Sequence, residues 1–377
     1  MTGPKGRALA ERTSRAPVLP RRGFLPAEDP ARALTIAPEL AVLDEIGRDL
    51  PSLLQDRGFR RHAEELAIPD WPERETCEET LAELRLYYTR LGFLASAYVN
   101  QVSEPRAHRL PRNIALPLTR ATRLLGRPPI LSYDGYALTN WKRFDPRGPV
   151  ALGNIDTLQN FVHLYDERWF ILVHVEIEAI GGEVLESMGR TWRALERSDE
   201  EGVNRALSEI ADGVWRQVAV LRRIPEKMDP ALYYRTFRPY IRFFEDVVYE
   251  DVSDTPFSFR GETGAQSSLV PALVGFMKIR HQQSMLTDHL ADMRKFMPPE
   301  HRRLLEQIES MPSPRRLADK GVYNEVLEAM AVFREVHHGW AHEYIHKRVE
   351  DPRGTGGTPY MQWLGQLIRE TRAHKIP

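Results

Sequence analysis

The sequence predicts a mainly α-helical protein in which a smaller, mostly helical first domain precedes a large all-helical domain. Three observations predict this class: apolar residues return every three or four positions over most of the chain, no strand pattern alternates with the helices, and no segment repeats at a fixed period. A chain of 377 residues that is 42% hydrophobic can also bury a large core. We therefore expect a flexible tail over residues 1–35, a small domain over 36–150 and a large helical domain over 151–377.

The first 35 residues are rich in Arg, Pro and Ala and carry no sustained apolar period, which is typical of a loosely ordered tail. An arginine-rich arm that binds an acidic partner is the alternative.

From about Pro38 to Ala97 the pattern becomes helical. One amphipathic helix in this stretch has its apolar positions at Leu81, Leu84, Tyr87, Tyr88, Leu91 and Leu94.

A proline-punctuated stretch over about 110–149 predicts the edge of the first domain. It contains one short helix, an apolar extended piece at Ile130–Tyr133 and several turns. After Pro149 the helical pattern returns in long runs, of which the last extends from Tyr323 to Val349. These runs predict a helical bundle for the second domain.

Composition and charge limit the classes of partner. The 52 basic and 53 acidic residues leave a net charge of −1, which gives no reason to expect nucleic acid or an anionic membrane, so we expect a small-molecule ligand. The single cysteine, Cys77, excludes an internal disulfide and any cysteine-based zinc or iron–sulfur site. No apolar run approaches the ~18 residues of a membrane span, and the start lacks the apolar core of a signal peptide. We expect a cytoplasmic protein.

Four of the 12 histidines lie between positions 337 and 346, on the last helical pattern. The apolar stripe of that helix consists of Val326, Met330, Phe333, His337, Trp340 and Tyr344. His337 is therefore expected on the buried face. His338, His342 and His346 step by four along a different face, which we expect to be largely solvated.

Two roles fit a lone histidine on an apolar stripe. One is a hydrogen-bonded core residue, and the other is a single axial ligand of haem iron, which needs a neutral imidazole in an apolar cavity. The second face offers a zinc or non-haem iron site, because His338 and His342 are one turn apart. However, HGWAH lacks the glutamate of the HExxH motif, and no carboxylate is obviously placed to complete such a site.

The glycine-rich segment RGTGGTP follows this helix. As a phosphate cradle it is a weak match, because no apolar strand precedes it and it lacks the P-loop lysine. A mobile turn and a lid whose backbone amides meet a substrate are the two remaining interpretations.

Five segments occur together in one order: LPRNIALPL, PPILSYDGYALTNWKRFDP, DMRKFMPPEHRRLLEQIES, FREVHH and GTGGT. In this respect the chain resembles the indoleamine 2,3-dioxygenase family of haem enzymes, over about residues 35–372. The resemblance implies a small N-terminal domain that caps a large helical domain holding haem b. It also implies oxidation of tryptophan or another indole by O2 to an N-formylkynurenine product, with an electron donor that reduces the haem.

Residues near the iron carry over by position. His337 matches the proximal haem ligand of the family, and Arg334 matches an arginine near a haem propionate. Phe170 matches a distal-pocket phenylalanine that stacks near the indole. His174 stands where mammalian members carry a serine, and it is similar in this to the tryptophan 2,3-dioxygenases, whose distal histidine receives the indole N–H. These matches imply that His174 orients the substrate.

Other matches outline the substrate pocket. Tyr133 matches a tyrosine that lines it, and Tyr233 matches a pocket phenylalanine. Thr263 and Gly264 match the loop beside the haem edge. Taken without the resemblance, Tyr133 and Phe170 fit equally well as core aromatic residues.

Two matches lie at the amino acid end of the substrate. Arg238 matches the arginine that pairs with the substrate carboxylate, and Thr355 in GTGGT matches the threonine that contacts this end. A buried arginine requires an anionic partner. A carboxylate of the substrate can satisfy it bidentately, and an ion pair within the protein is the alternative.

Four positions depart from the family. Tyr136 replaces a small cysteine and Tyr233 adds a hydroxyl, which predicts a smaller and more polar pocket. Glu262 replaces a glycine in the loop RGETGAQSS. Val274 stands where an aspartate assists the proximal side, which leaves the hydrogen-bond partner of His337 unassigned.

The sequence thus leaves three functions in competition. The first is a dioxygenase that cleaves the C2–C3 bond of tryptophan or a related indole. The second is a haem-dependent oxygenase that inserts oxygen differently or acts on a modified indole in a biosynthetic pathway. The third is a haem-binding protein without turnover.

Overall fold

A computed structural model describes residues 19–72, 78–348 and 360–377. Its α-helices are α1 (Ala41–Leu53), α2 (Phe59–Glu65), α3 (Glu78–Val99), α4 (Arg112–Leu124), α5 (Tyr165–Glu196), α6 (Glu200–Leu221), α7 (Pro230–Leu232), α8 (Leu269–Met277), α9 (Met285–Met293), α10 (Pro299–Ser310), α11 (Lys320–Tyr344) and α12 (Tyr360–Ala373). Strands within the described ranges are few and short, so the mainly α-helical class predicted from the sequence is confirmed.

Two of the long helices begin at an aspartate that accepts hydrogen bonds from the first turn. The Asp199 side chain accepts from the Gly202 amide at 2.9 Å before α6, and Asp319 accepts from the Gly321 amide at 2.7 Å before α11. Helix α5 packs along α6, and α11 packs against both α6 and α12. None of the helices in the described part of the chain combines the length and apolar character that a bilayer crossing requires.

Short strands join the helices at two places. They are β1 (Arg109–Leu110), β2 (Trp141–Arg143), β3 (Ile155–Thr157), β4 (Phe244–Tyr249) and β5 (Ser253–Phe259). Strand β4 lies between β1, to which it is parallel, and β5, to which it is antiparallel. Strands β2 and β3 form a separate antiparallel pair, with Trp141 opposite Thr157. The sequence pattern does not predict the β4–β5 hairpin.

Buried apolar side chains form two clusters. One lies chiefly among α1, α3, α4 and the segment that follows α4, and the other lies chiefly among α5, α6, α8 and α11. Helix α5 belongs to both, because Ile171 and Leu172 pack in the first cluster while Trp169 and Val173 pack in the second. The division into two domains near residue 150 stays a prediction.

Part of the predicted tail is ordered, which corrects the sequence interpretation for residues 19–35. Phe24, Leu25 and Leu34 are each at most 4% exposed. Gly23 has φ +65 and lies against α5 so closely that a Cβ atom would stand 2.7 Å from the Glu178 carbonyl oxygen. These anchors are isolated in sequence, so no periodicity reveals them. Residues 1–18 lie outside the described residues.

Candidate functional site

A large cavity of about 1250 Å³ lies among α5, α8, α11 and α12. Eight of the residues predicted for the site line it: Tyr133, Phe170, His174, Tyr233, Thr263, Gly264, Arg334 and His337. Among the described residues that form its lining, Arg238 is not included. Thr355 and the whole RGTGGTP segment lie outside the described residues.

His337 projects from α11 into this cavity. The stripe that includes Phe333, Trp340 and Tyr344 faces the same space, as the helical period predicts. The imidazole is open to the cavity but otherwise enclosed by protein, and burial lowers its pKa to about 4. No residue in the described ranges hydrogen-bonds its ring. His337 is therefore a neutral imidazole that borders the cavity without a protein hydrogen bond among the described residues, which does not fit the role of a hydrogen-bonded core residue.

The other three histidines of α11 and its C-terminal extension lie on a separate face. His342 and His346 are exposed, with ring centroids 5.3 Å apart, and His338 is half-buried. Within residues 19–72, 78–348 and 360–377, no three His, Cys, Asp or Glu side chains converge as metal ligands. The zinc or non-haem iron alternative gains no support here.

The cavity and its donors fit haem. Its volume exceeds the roughly 300–1,000 Å³ of an ordinary small-molecule pocket, so it can accommodate a macrocycle together with a substrate. His337 supplies the neutral nitrogen that an axial ligand requires. Basic side chains that suit the anionic groups of a porphyrin also border the cavity: Lys278, Arg280, Arg294, Arg315 and Arg334.

Arg334 lies one helical turn before His337 and is 6% exposed. Its Nη1 donates to the Leu367 carbonyl oxygen at 2.9 Å and also to the Thr371 hydroxyl, both on α12. Burial lowers the pKa of its guanidinium to about 10. Arg334 thus joins α11 to α12 while bordering the cavity. Val274 lines the cavity as well, but it offers no hydrogen bond to the proximal side.

His174 faces the cavity from α5, and its tautomer is fixed by the helix. Its Nδ1 donates to the Phe170 carbonyl oxygen at 2.7 Å, so Nε2 carries the lone pair. Burial lowers the pKa of the ring and keeps it neutral at neutral pH. Protonation of His174 would lower the pKa of His337 further, because the two imidazoles face one cavity.

Aromatic rings form the wall beside His174. Phe170 lies 4.5 Å from His174 and 5.6 Å from Tyr233, measured between ring centroids, and Tyr233 lies 5.8 Å from Tyr344. Phe170 and Tyr233 both line the cavity. The rings are inclined to one another by 48–84°, so the wall offers separate aromatic faces and edges against which an aromatic substrate can pack.

Tyr136 corrects one expectation about the pocket. Its side chain is fully buried behind Phe170, with ring centroids 6.3 Å apart, and it is not among the described residues of the lining. Its hydroxyl donates to Glu167 Oε1 at 3.2 Å. Tyr136 therefore supports Phe170 from behind and adds no polar group to the cavity surface.

Two buried carboxyl groups line the cavity next to Tyr133. The hydroxyls of Tyr133 and Ser267 donate to Glu178 Oε1 at 3.1 and 2.5 Å. Burial raises the pKa of Glu178 to about 7 and that of Glu262 to about 8. The sequence interpretation noted Glu262 only as a departure and missed Glu178. The helical spacing could have indicated Glu178 as a site residue, because it lies four residues after His174 on the same face of α5.

Glu262→Gln is expected to stabilise the protein increasingly as pH rises from about 5 to about 8. The unfolded chain loses the Glu262 proton near its ordinary pKa of 4.5, whereas the folded protein holds it up to about 8. Between these pH values the free energy of unfolding of the wild type falls by up to about 1.4 kcal/mol per pH unit. The glutamine side chain does not titrate, so the variant does not lose stability in this way. Thermal midpoints of both proteins at several pH values measure this. Glu306→Gln, on the exposed face of α10, is the control, and a pH-independent difference for Glu262→Gln would contradict the expectation.

Arg238 is buried beside the cavity. It follows the π-helical turn Tyr233–Phe237, is 3% exposed, and its guanidinium carbon lies 5.1 Å from the centroid of the Tyr234 ring. Ile241, shortly after it, lines the cavity, as Tyr233 does. The structure thus places Arg238 on a segment whose two ends contact the cavity.

Comparison with known proteins gives one consistent result. The family model described as indoleamine 2,3-dioxygenase matches residues 14–374. Indoleamine 2,3-dioxygenase 1 of Rattus norvegicus is 30% identical over 359 residues, which cover 87% of this chain and 87% of the rat protein. Indoleamine 2,3-dioxygenase of Saccharomyces cerevisiae is 30% identical over 360 residues, covering 87% and 79%. A 6-hydroxytryptophan 2,3-dioxygenase of Fusarium equiseti is 26% identical over 343 residues, covering 86% and 82%.

These matches extend over both hydrophobic clusters and over the whole cavity-forming part of the chain. They agree with the largely helical architecture and with a cavity that fits haem. A small indole and O2 are the reactants that this family implies. The chain belongs to the indoleamine 2,3-dioxygenase family of haem-dependent indole dioxygenases.

Proposed function

We propose that this protein binds haem b through His337 and cleaves the C2–C3 bond of tryptophan, or of a closely related indole, with O2 to give the N-formylkynurenine product. One observation carries the proposal: neutral His337 on α11 and neutral His174 on α5 open into the same cavity, beside an aromatic wall. Haem-loaded protein with tryptophan, ascorbate and O2 should yield a product heavier by two oxygen atoms. A product with one added oxygen, or none, would contradict it.

Haem, when bound, supplies the ferrous iron at which O2 reacts with the electron-rich indole double bond. The chain's own tasks are then to bind, orient and shield. Phe170 and Tyr233 offer the surface for stacking, and the apolar cavity lining limits water around the reacting atoms. In this proposal Arg334 borders the side where a propionate lies.

His174 is proposed to orient the substrate. With Nδ1 engaged by the Phe170 carbonyl, Nε2 can only accept, and an indole N–H is a matching donor. His174 would then hold the ring in one orientation without exchanging a proton. Thr263 and Gly264, in the loop that borders the cavity, are proposed to contact the substrate beside the haem edge.

His174→Ala is expected to reduce turnover of tryptophan more than turnover of 1-methyltryptophan. A hydrogen bond from the indole N–H contributes on the order of 1 kcal/mol, or roughly a fivefold effect on efficiency. The methylated substrate has no N–H to donate, so it loses only packing. Efficiencies of wild type and variant on both substrates measure the difference, and equal losses on both would count against this role.

The amino acid end of the substrate is proposed to lie toward the segment after the turn Tyr233–Phe237. Arg238 would pair with the carboxylate there, and Thr355 would contact the same end. The support is the family resemblance together with the placement of Tyr233 and Ile241 in the cavity lining.

Three further features complete the proposal. An electron donor keeps the iron ferrous, for which ascorbate serves in the test above. The protein acts in the cytoplasm, where its single cysteine, Cys77, stays reduced. A small first domain, divided from the haem-binding domain near residue 150, caps the cavity, to which it contributes Tyr133.

A further inference from the structure

We propose that Glu262 determines substrate specificity by hydrogen-bonding a hydroxyl group on the benzene ring of the indole, at carbon 6 or 7. Glu262, Glu178 and Tyr133 together form what we call the carboxyl end of the cavity. The inference rests on the proposed function, because it takes an indole to be the substrate. It names a substrate class, ring-hydroxylated tryptophan, and a residue that selects it.

The loop that carries Glu262 is held firmly against its surroundings. The Glu262 amide donates to the Ile241 carbonyl oxygen at 3.1 Å. Gln266 links the loop to the segment that carries Tyr133, since its Nε2 donates to the Gly261 carbonyl oxygen and its Oε1 accepts from the Tyr133 amide, both at 2.9 Å. The backbone at Glu262 is therefore held in place beside the cavity that its side chain lines.

Both carboxyl groups at the carboxyl end have oxygen atoms that no described residue hydrogen-bonds. Glu262 is 3% exposed, and no described residue hydrogen-bonds its carboxyl group or forms an ion pair with it. Glu178 is 1% exposed, and its Oε2 has no hydrogen-bond partner among the described residues. Burying a polar group without a hydrogen bond costs about 1–3 kcal/mol. A ligand group that hydrogen-bonds here offsets that cost.

The chemistry of the carboxyl end favours a neutral hydroxyl. Burial alone raises the pKa of Glu262 to about 8, so at neutral pH the side chain is a neutral acid that can both donate and accept. A hydroxyl group does the same, so the two form a complementary pair. The proposed function assigns the substrate carboxylate to Arg238, which leaves the carboxyl end of the cavity to the indole ring.

The position on the ring follows from His174. Tyr133 neighbours both His174, at 6.0 Å between ring centroids, and Glu178, to which its hydroxyl donates. If His174 accepts the indole N–H, the ring edge on the side of the nitrogen lies next to His174, and Glu178 follows His174 by one helical turn on α5. Carbons 7 and 6 form that edge, and carbon 4 lies on the opposite side of the ring. A hydroxyl at carbon 6 or 7 therefore reaches the carboxyl end, and one at carbon 4 does not.

The test compares 6-hydroxytryptophan with 6-methyltryptophan, which has the same bulk and no hydrogen-bond donor. Binding to the ferric holoenzyme is measured by calorimetry, and kcat/KM is measured with ascorbate and O2. Wild type should prefer the hydroxyl compound by about 10-fold, equal to ~1.4 kcal/mol. Glu262→Leu should remove that preference, whereas Glu262→Gln, which keeps the size and a hydrogen-bonding group, should retain most of it. 4-Hydroxytryptophan should bind no more tightly and react no more efficiently than tryptophan.

Equal binding and equal efficiency of the 6-hydroxy and 6-methyl compounds in wild type would overturn the inference, and this comparison needs no variant to fold. It would also fall if Glu262→Leu weakened tryptophan and 6-hydroxytryptophan alike but spared indole-3-propionate, because the carboxyl end would then bind the substrate ammonium group. In both cases turnover of tryptophan persists and the proposed function stands. Absence of binding and turnover with every indole would instead refute the proposed function, and this inference with it.

Discussion

His337→Ala is expected to abolish stable haem incorporation. His337 is the neutral imidazole on the apolar stripe of α11 that opens into the cavity. Because its pKa is low, the ring is already unprotonated at neutral pH and can bind iron directly. Without His337, a bound porphyrin would keep only its apolar contacts and the ionic contacts of its anionic groups, and the iron would lack its protein ligand. The haem-to-protein ratio after purification and the Soret absorbance measure the effect, with haem supplied during expression.

His338→Ala is the matched control, because it removes the adjacent imidazole from the same helix. It should leave the haem content and spectrum unchanged. An essential His338 together with a dispensable His337 would show that the stripe has been assigned to the wrong face of α11. Imidazole added to His337→Ala should restore part of the spectrum, since the lost group is then supplied from solution.

Arg238→Ala is expected to lower the catalytic efficiency on tryptophan by roughly 30- to 1000-fold. A bidentate, charge-assisted pair with the substrate carboxylate in a dry pocket is worth about 2–4 kcal/mol when one side is removed, and each ~1.4 kcal/mol is a factor of ten. Tryptamine, which has no carboxylate, should be affected much less. Efficiencies on both substrates are measured on haem-loaded protein.

A structural role of Arg238 predicts a different pattern. Its guanidinium lies over the Tyr234 ring, and an arginine that only secures this turn would on removal lower the thermal midpoint and harm both substrates alike. Arg235→Ala, an exposed arginine of the same turn, is the control for general effects of charge. A variant that melts early and loses both activities equally would remove Arg238 from the site.

The helical period predicts much of this fold because it is the strongest pattern in the sequence. The stripe from Val326 to Tyr344 requires that α11 continue without a break over that span, and the helix does so within its 25 residues. The β4–β5 hairpin escapes prediction because its pairing is irregular between Phe244 and Tyr249, so the strict alternation of a strand is lost. The burial of Phe24 and Leu25 cannot be predicted for a similar reason, because no apolar residues recur at regular spacing around them.

The candidate site divides in the same way. His174, Phe170 and Glu178 share one face of α5 by their spacing, yet only the first two have an obvious chemical role in sequence. An acidic residue at helical spacing is usually solvated, and only the tertiary contacts of Tyr133 and Ser267 with Glu178 reveal that this one is buried. The tautomer of His174 is likewise set by a backbone bond within the helix, which the identity of the residue alone does not determine.

The most direct test of the central claim is the mass of the product formed from tryptophan with isotopically labelled O2, ascorbate and haem-loaded protein. A C2–C3 cleaving dioxygenase that works through His337 places both atoms of one O2 molecule in N-formylkynurenine, so the product should carry two labelled oxygens. His337→Ala should form none of it. A product with a single labelled oxygen, or with oxygen derived from water, would contradict the account.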